Sequence, residues 1–396
     1  MSSVTLERNR SPISYPLNPP LFVHIGHGKT ASSTIQRALE INADTIRSHG
    51  LLISDKHLEF PSHGPIKGHP IGLLNEMMRE LPPQESDRRM NECLEGISSA
   101  LSKEGFHGAV ISSENLDNER ASRLFRNAPG RFDLRVLYLV RRQDEWLESS
   151  WKQWGLKSGA TLPKYVEEKL ANDRPAFLAT ARSWQAIGAK MRVVPLHAIG
   201  DISALLFDWL GIKDSSPQTV PRMNETLDYS LLEILARNPF LFSGFNDNKI
   251  FSMLDELLPD NAPRVGYGLL PEEMRAKIIA HFREENVTLH REFYPELQPL
   301  DQYPLRIKEE LPQSNSIESI QRYLGINLLL MDALKERLDE LSKDSQTLKD
   351  DLKALKQCRK EDRSLSNEPA SALPVSLWRS IRRAFRRRIS SEHERL

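Results

Sequence analysis

Cysteine is almost missing from this chain, with Cys93 and Cys358 the only two in 396 residues. That argues against a disulfide framework and a cysteine-rich metal site, and it suits a reducing compartment. Long apolar runs are missing too. No stretch approaches the ~18 apolar residues of a spanning helix, and residues 1–20 contain no apolar segment of the kind that directs secretion. Net charge is also absent, since 54 Lys+Arg balance 54 Asp+Glu. The zero total conceals an uneven distribution, because the arginines crowd towards residues 377–388. These absences lead us to expect a cytoplasmic, soluble protein with no resident metal and no nucleic-acid partner.

What is present divides into four parts. Residues 1–19 are polar and proline-rich and read as an extended leader. Residues 20–305 alternate short apolar runs with longer helical patterns. Strands are expected at 21–25, 106–112, 134–140 and 193–196, and helices at 34–47, around 90–101, at 144–154 and at 201–210. Asp201 is placed as the N-cap of the last helix and Gly211 as its stop. Strands alternating with helices predict the α/β class, with a mainly parallel sheet covered on both faces.

Residues 306–362 change character. Ile317, Ile320, Leu324, Asn327, Met331, Leu334, Leu338, Leu341, Ser345, Leu348, Leu352 and Leu355 follow 3–4 spacing over five to six heptads. This is a coiled-coil pattern, and it predicts a homo-oligomer. The alternative is a single helix lying on the globular part. Residues 363–396 form a polar linker and a basic tail. There, Leu377, Trp378, Ile381 and Phe385 alternate with six arginines. An amphipathic segment of this kind suits an anionic membrane surface, so peripheral attachment is expected. A disordered tail or a patch for a polyanionic acceptor would have the same composition.

The sharpest signal is the passage from the strand at 21–25 through Gly26-His27-Gly28-Lys29-Thr30 into a helix. Backbone N–H groups and a helix N-terminus hold phosphate in such a turn. Gly26 and Gly28 let the backbone approach an anion, Lys29 brings a mobile charge, and Thr30, Ser32, Ser33 and Thr34 bring hydroxyls. A Walker A loop would need a glycine at position 23, where Val23 stands inside the strand. The strand at 106–112 leads into Ser113-Glu114 and is not closed by a magnesium-binding aspartate.

His24-Ile25-Gly26 followed by Lys29-Thr30-Ala31-Ser32-Ser33-Thr34 resembles the 5′-phosphosulfate loop of sulfotransferases that use PAPS (3′-phosphoadenosine 5′-phosphosulfate). The sequence departs from that family at Gly28, where proline is common. A strand ending in Arg141, with Ser149 eight residues later, is similar to the family's second signature. The resemblance implies that Arg141 and Ser149 hold the 3′-phosphate, and that Gly26, His27, Gly28, Lys29, Thr30, Ala31, Ser32 and Ser33 form the donor loop. Arg142 follows immediately, and which arginine enters the site stays open, with the spacing favouring Arg141. The stretches Val194-Pro195-Leu196-His197, 221–226 and 270–286 resemble later parts of bacterial members. The resemblance covers roughly residues 20–295 and implies a P-loop-like fold.

Family practice implies a glutamate base for carbohydrate and protein acceptors and a histidine base for small molecules. Glu114 is the first candidate. His69 is the second, as a base or acceptor-binding residue in the loop that also holds His57 and His63. The spacing of these three histidines fits no zinc motif. Trp146, Trp151, Trp154 and Trp184 read as core or as an acceptor platform. The expected function is sulfonate transfer from PAPS to a hydroxyl of a carbohydrate or glycolipid, without a metal. The rival readings are a nucleotide-dependent phosphotransferase and a non-catalytic coiled-coil scaffold.

Overall fold

A short run of apolar residues such as Leu21-Phe22-Val23, β-branched or aromatic in part, suits a strand of a sheet buried on both faces. In the computed structural model that run lies in the central strand. The structure describes residues 18–220, 231–232, 235–236, 238–244, 247–257, 268–305 and 317–365. The strands are β1 (Pro20–Gly26), β2 (Leu51–Ile53), β3 (Gly108–Glu114), β4 (Asp133–Val140) and β5 (Lys190–Pro195). They form one five-stranded sheet in the order β2-β3-β1-β4-β5, and every pairing is parallel. The α/β class and the parallel sheet are therefore as expected. Strand β2 was not anticipated, because three residues give no periodicity to read.

Helices cover both faces. On one, α1 (Ser32–Ile41) and α9 (Ile202–Leu210) pack Ile35, Leu39, Leu206 and Phe207 against Phe22, Leu137 and Leu139. Successive strand residues point to opposite faces, so Tyr138 faces away. It meets Phe177 of α8 (Phe177–Ala186) on the other side. Each fully buried side chain of this size contributes about 1.5–3 kcal/mol. Asp201 caps α9, accepting from the Ser203 N–H at 2.8 Å, and Gly211 ends the helix at φ 78°.

Three expectations need correction. The helix read at 34–47 is two, α1 and α2 (Ala43–Ser48), broken at Asn42. The Asn42 amide donates to the Ala38 carbonyl at 2.9 Å and exchanges hydrogen bonds with the Gln218 backbone, which competes with helix continuation. The strand read at 106–112 lies two residues later, because Ser113 and Glu114 still pair with Ile25 and Gly26. The helix read at 144–154 is α6 (Gln143–Ser150), which widens into a π turn at Trp151–Gly155. Further helices of the sheet-bearing part include α3 (Ile71–Arg79), α4 (Pro83–Glu104), α5 (Glu119–Leu124), α7 (Leu162–Ala171), α10 (Lys249–Leu257) and α11 (Glu272–Phe293).

The chain divides into two units, Met1–Glu256 with Asp260–Ile326, and Leu257–Pro259 with Asn327–Leu396. Where described, the second comprises Leu257 and residues 327–365 of the long helix α12 (Ile317–Leu365), which begins in the first. Its heptad leucines are exposed, Leu338 by 65% and Leu348 by 63%. The helix runs three residues past the expected end of the coiled coil at 362. Residues 1–17, the resemblance at 221–226, the linker beyond 365 and the basic tail lie outside the described residues. Among the described residues no helix is long and apolar enough to cross a membrane.

Candidate functional site

The sheet order puts β1 beside β4, and the crossovers after these two strands, to β2 and to β5, run in opposite directions. A crevice forms at the strand C-termini where this happens. Gly26 lies beside Glu114, and Ile25 lies beside Tyr138, two residues before β4 ends. The loop after β1, the residue Glu114 and the turn after β4 are thereby brought to one edge.

The loop is held in an unusual backbone shape. Lys29 and Ala31 both take left-handed conformations, at φ 68° and 66°, although neither is glycine. Strain of this kind persists only where the surroundings enforce it. Here the His27 carbonyl accepts from the Thr30 N–H at 3.1 Å, the Thr30 hydroxyl at 2.7 Å and the Ser32 hydroxyl at 3.3 Å. Helix α1 starts at Ala31, which supplies no side-chain cap. The Ala31 carbonyl takes the Thr34 N–H at 3.1 Å, and among the described residues the Ser32 and Ser33 N–H groups have no acceptor, as at an anion-binding helix end. A β-carbon at Gly26 would stand 2.6 Å from Ser32 Oγ, so only glycine permits this approach.

Gly28 packs against Trp154, where an added β-carbon would lie 2.6 Å from the ring, and its carbonyl accepts from Trp146 Nε1 at 2.7 Å. A side chain at this position would have to displace the Trp154 ring, and two tryptophans fix the loop there. The π turn aims Trp154 at Gly28 and the neighbouring Gln153 at Lys29, whose Nζ donates to Gln153 Oε1 at 3.4 Å. Trp151 and Trp184 instead donate to the Ala160 and Leu116 carbonyls as parts of the core.

The expected loop residues divide by role. Thr30 and Ser32 are buried with hydroxyls turned inward, so they shape the loop. His27 is buried as well, with Nδ1 3.1 Å from the Tyr138 hydroxyl and 3.2 Å from Asp117, and its ring lies against Trp146 and Phe177. Its side chain anchors the loop from behind. Ser33 reaches outward and donates to Glu114 Oε1 at 3.4 Å. Lys29 is mostly buried, and this burial, reinforced by the Arg141 guanidinium, pushes its ammonium below the usual lysine range. Glu114 pulls it the other way, while Lys152 and Lys157 add to the depression. Lys29, Arg141, Lys152 and Lys157 thus share one electrostatic neighbourhood, which an anion would stabilise.

The two arginines after β4 turn in different directions. Arg142 is buried and chelated by Asp144 at 3.1 and 3.0 Å, and it also donates to the Tyr303 carbonyl. Arg141 turns to the loop, donating Nη1 to the Lys29 carbonyl at 3.4 Å and Nε to Glu145 at 3.1 Å. Ser149 is half-buried on α6, two turns further on. His69 is not brought into this group. Its Nε2 lies 3.5 Å from Glu40 on α1, and burial lowers its pKa against the pull of that carboxylate. His57 and His63 are exposed.

No protein-family model and no curated protein matches this chain.

The site is therefore read from its own geometry. Lys152, Gln153 and Lys157 were not anticipated. Lys152 and Gln153 lay within a run read as ordinary helix, where nothing in the spacing marked a π turn. Among the described residues no group of three histidine, cysteine or acidic side chains stands close enough to hold a metal ion.

Proposed function

We propose that this protein is a PAPS-dependent sulfotransferase with a P-loop-like fold, acting on a carbohydrate or glycolipid hydroxyl. The observation that carries the reading is the approach of Arg141 to the Lys29 carbonyl, 3.4 Å, across the strand ends of β4 and β1. It joins two anion-binding elements, an uncapped loop-helix turn and a strand-end guanidinium, into a continuous site. A nucleotide with phosphates at both its 5′ and 3′ positions uses both elements. The loop would hold the phosphosulfate, and Arg141 with Ser149 the 3′-phosphate.

The chemistry is an in-line displacement at sulfur. The acceptor oxygen forms a new O–S bond as the bond from sulfur to the bridging oxygen breaks. The electron pair of the broken bond leaves on the 5′-phosphate of adenosine 3′,5′-bisphosphate. Lys29 stabilises that developing charge. The proton of the attacking hydroxyl passes to Glu114, which stands at the same strand edge within reach of Ser33 on the donor loop. Glu114 suits this role better than His69, which faces Glu40.

The deciding experiment is a thermal-shift comparison. Adenosine 3′,5′-bisphosphate at about 100 times its Kd should stabilise the protein by roughly 2.7 kcal/mol. ATP with magnesium should do much less. Stabilisation by ATP–magnesium alone would favour a phosphotransferase instead. The exposed seam of α12 supports self-association. The arginine-rich segment near 375–389 would then bring the assembly to an anionic surface bearing a glycolipid acceptor.

A further inference from the structure

A cleft of about 570 Å³ opens beside the loop on the Gly28 side. Its size suits one or two sugar rings. Trp146, Trp154 and Tyr165 contribute to its wall, and two of them are the side chains that contact Gly28. Trp154, the partly exposed member, can accept the C–H face of a pyranose, while Trp146 and Tyr165 are buried behind the wall and support it. The next element of the wall is Asn115, the residue directly after Glu114. Its backbone is held at φ 67°, donating to the Gly26 carbonyl at 3.0 Å and accepting from Asn118 Nδ2 at 2.9 Å. Among the described residues its side-chain amide makes no hydrogen bond, so both its donor and its acceptor are available to hydroxyls.

The charge of the cleft is lopsided. Arg79, Arg120, Lys169 and Arg174 line it, against Asp117 and Glu119. Asp117 is already engaged, 3.2 Å from His27 and 3.8 Å from Arg174. Among the described residues Arg79 and Arg120 form no ion pair, and both are exposed. Two guanidinium groups without carboxylate partners, at the rim of an aromatic-walled cleft, match an anionic substituent on the ligand. A neutral sugar would leave that excess charge unused. An acidic peptide would have to run past Glu119 and Asp117 and would find no role for the aromatic wall.

We propose that this cleft is the acceptor subsite and that it takes a saccharide carrying a negative group: carboxylate, phosphate or sulfate. The proposal rests on the sulfotransferase reading for the word acceptor, but the binding it asserts does not. Asn115 would orient the hydroxyl that lies next to Glu114, while Arg79 and Arg120 hold the charged substituent.

Direct binding of matched disaccharides to the full chain tests it, by calorimetry or ligand-observed NMR at low salt. The set is cellobiose, cellobiouronic acid and cellobiose 6′-phosphate, with an acidic tyrosine peptide as a fourth probe. The two charged disaccharides should bind at least tenfold more tightly than cellobiose. The double variant Arg79→Gln/Arg120→Gln should erase that advantage, and adenosine 3′,5′-bisphosphate should bind it as it binds wild type. Preference between carboxylate and phosphate then tells which anion the cleft favours. Equal affinity for neutral and charged sugars, no sugar binding, or tighter binding of the peptide would each overturn the proposal. Loss of bisphosphate binding in the double variant would also overturn it, assigning the cleft to the donor. If the charged sugars bind as expected while wild type ignores the bisphosphate, the donor reading fails and the saccharide subsite stands.

Discussion

The sheet-bearing unit and the long helix α12 handle charge and apolar surface in opposite ways. In the first, even ionic side chains are buried and paired. Arg142, Asp144, Glu148 and Arg275 are each less than a tenth exposed, and contacts of 2.7–3.1 Å link them and tie α6 to α11. Beside this closed network lies the loop before α1, whose helix end has no side-chain cap and whose cations crowd each other. In α12 the leucines themselves are exposed, from Ile320 to Leu355, among charged neighbours. The contrast separates two kinds of incompleteness. On the proposed reading the loop would take an anion and the seam of α12 an apolar surface.

The largest expected effect is on the stability of the first unit alone. Arg275→Met removes the partner shared by Asp144 and Glu148 and leaves buried carboxylates underpaired. A loss of about 3 kcal/mol is expected, which for a unit of this size lowers Tm by ~6–12 °C. Circular dichroism should show the α/β transition shifted while helical signal from α12 persists. A shift below ~2 °C would mean that the network is replaceable. Next is Lys29→Ala, which should lower kcat by about 10²–10³-fold, the size of effect seen when one transition-state donor is removed. Acceptor KM should change little. Equal, small changes in both constants would remove Lys29 from the chemistry.

The third effect concerns pH. His24 lies fully buried on β1 with Nδ1 2.8 Å from Ser112 Oγ, and burial, aided by His69, lowers its pKa from 6.5 to about 3. The unfolded chain therefore binds a proton below pH 6.5 that the folded chain refuses. Stability from a neutral His24 is complete above pH 6.5 and is lost as pH falls towards 3. The slope approaches about 1.4 kcal/mol per pH unit for one proton. Urea unfolding of wild type and His24→Asn between pH 4 and 7 should show a shallower slope in the variant. Identical slopes would assign the acid sensitivity to other groups.

The sheet was legible because its strands are long apolar runs. The loop was legible because Gly26, Gly28 and Lys29 have few other uses together. Asp201 and Gly211 read correctly as helix ends for the same local reasons. What stayed hidden depended on contacts distant in sequence. Asn42 breaks its helix through Gln218, 176 residues away. The inward turn of Thr30 and Ser32 follows from the His27 carbonyl, and His27 is itself pinned by Tyr138 and Asp117. Lys152 and Lys157 join the site only because the helix after Ser150 widens. Local spacing carries propensity and periodicity, but it says nothing about which hydroxyls already have partners.

The smallest expected effect on the sheet-bearing unit comes from the seam of α12, and that smallness would mark the two units as independent. Leucines at seam positions gain about 1.5–3 kcal/mol each on burial. In an isolated helix that gain is forgone, and Leu338 and Leu341 stay 65% and 55% exposed. A second copy offers the same stripe, and Asn327 within it favours one register at the expense of others. The full chain should therefore be a parallel dimer at micromolar concentration. Leu338→Lys/Leu341→Lys places like charges at adjacent seam layers and should yield a monomer by light scattering. The Tm of the α/β transition should move by no more than ~1 °C, and turnover on a small soluble acceptor by less than about twofold, as expected where the two units share no partners. A wild-type monomer would sink the dimer. A dimer whose loss also cripples turnover would show that α12 completes the site as well as its own seam.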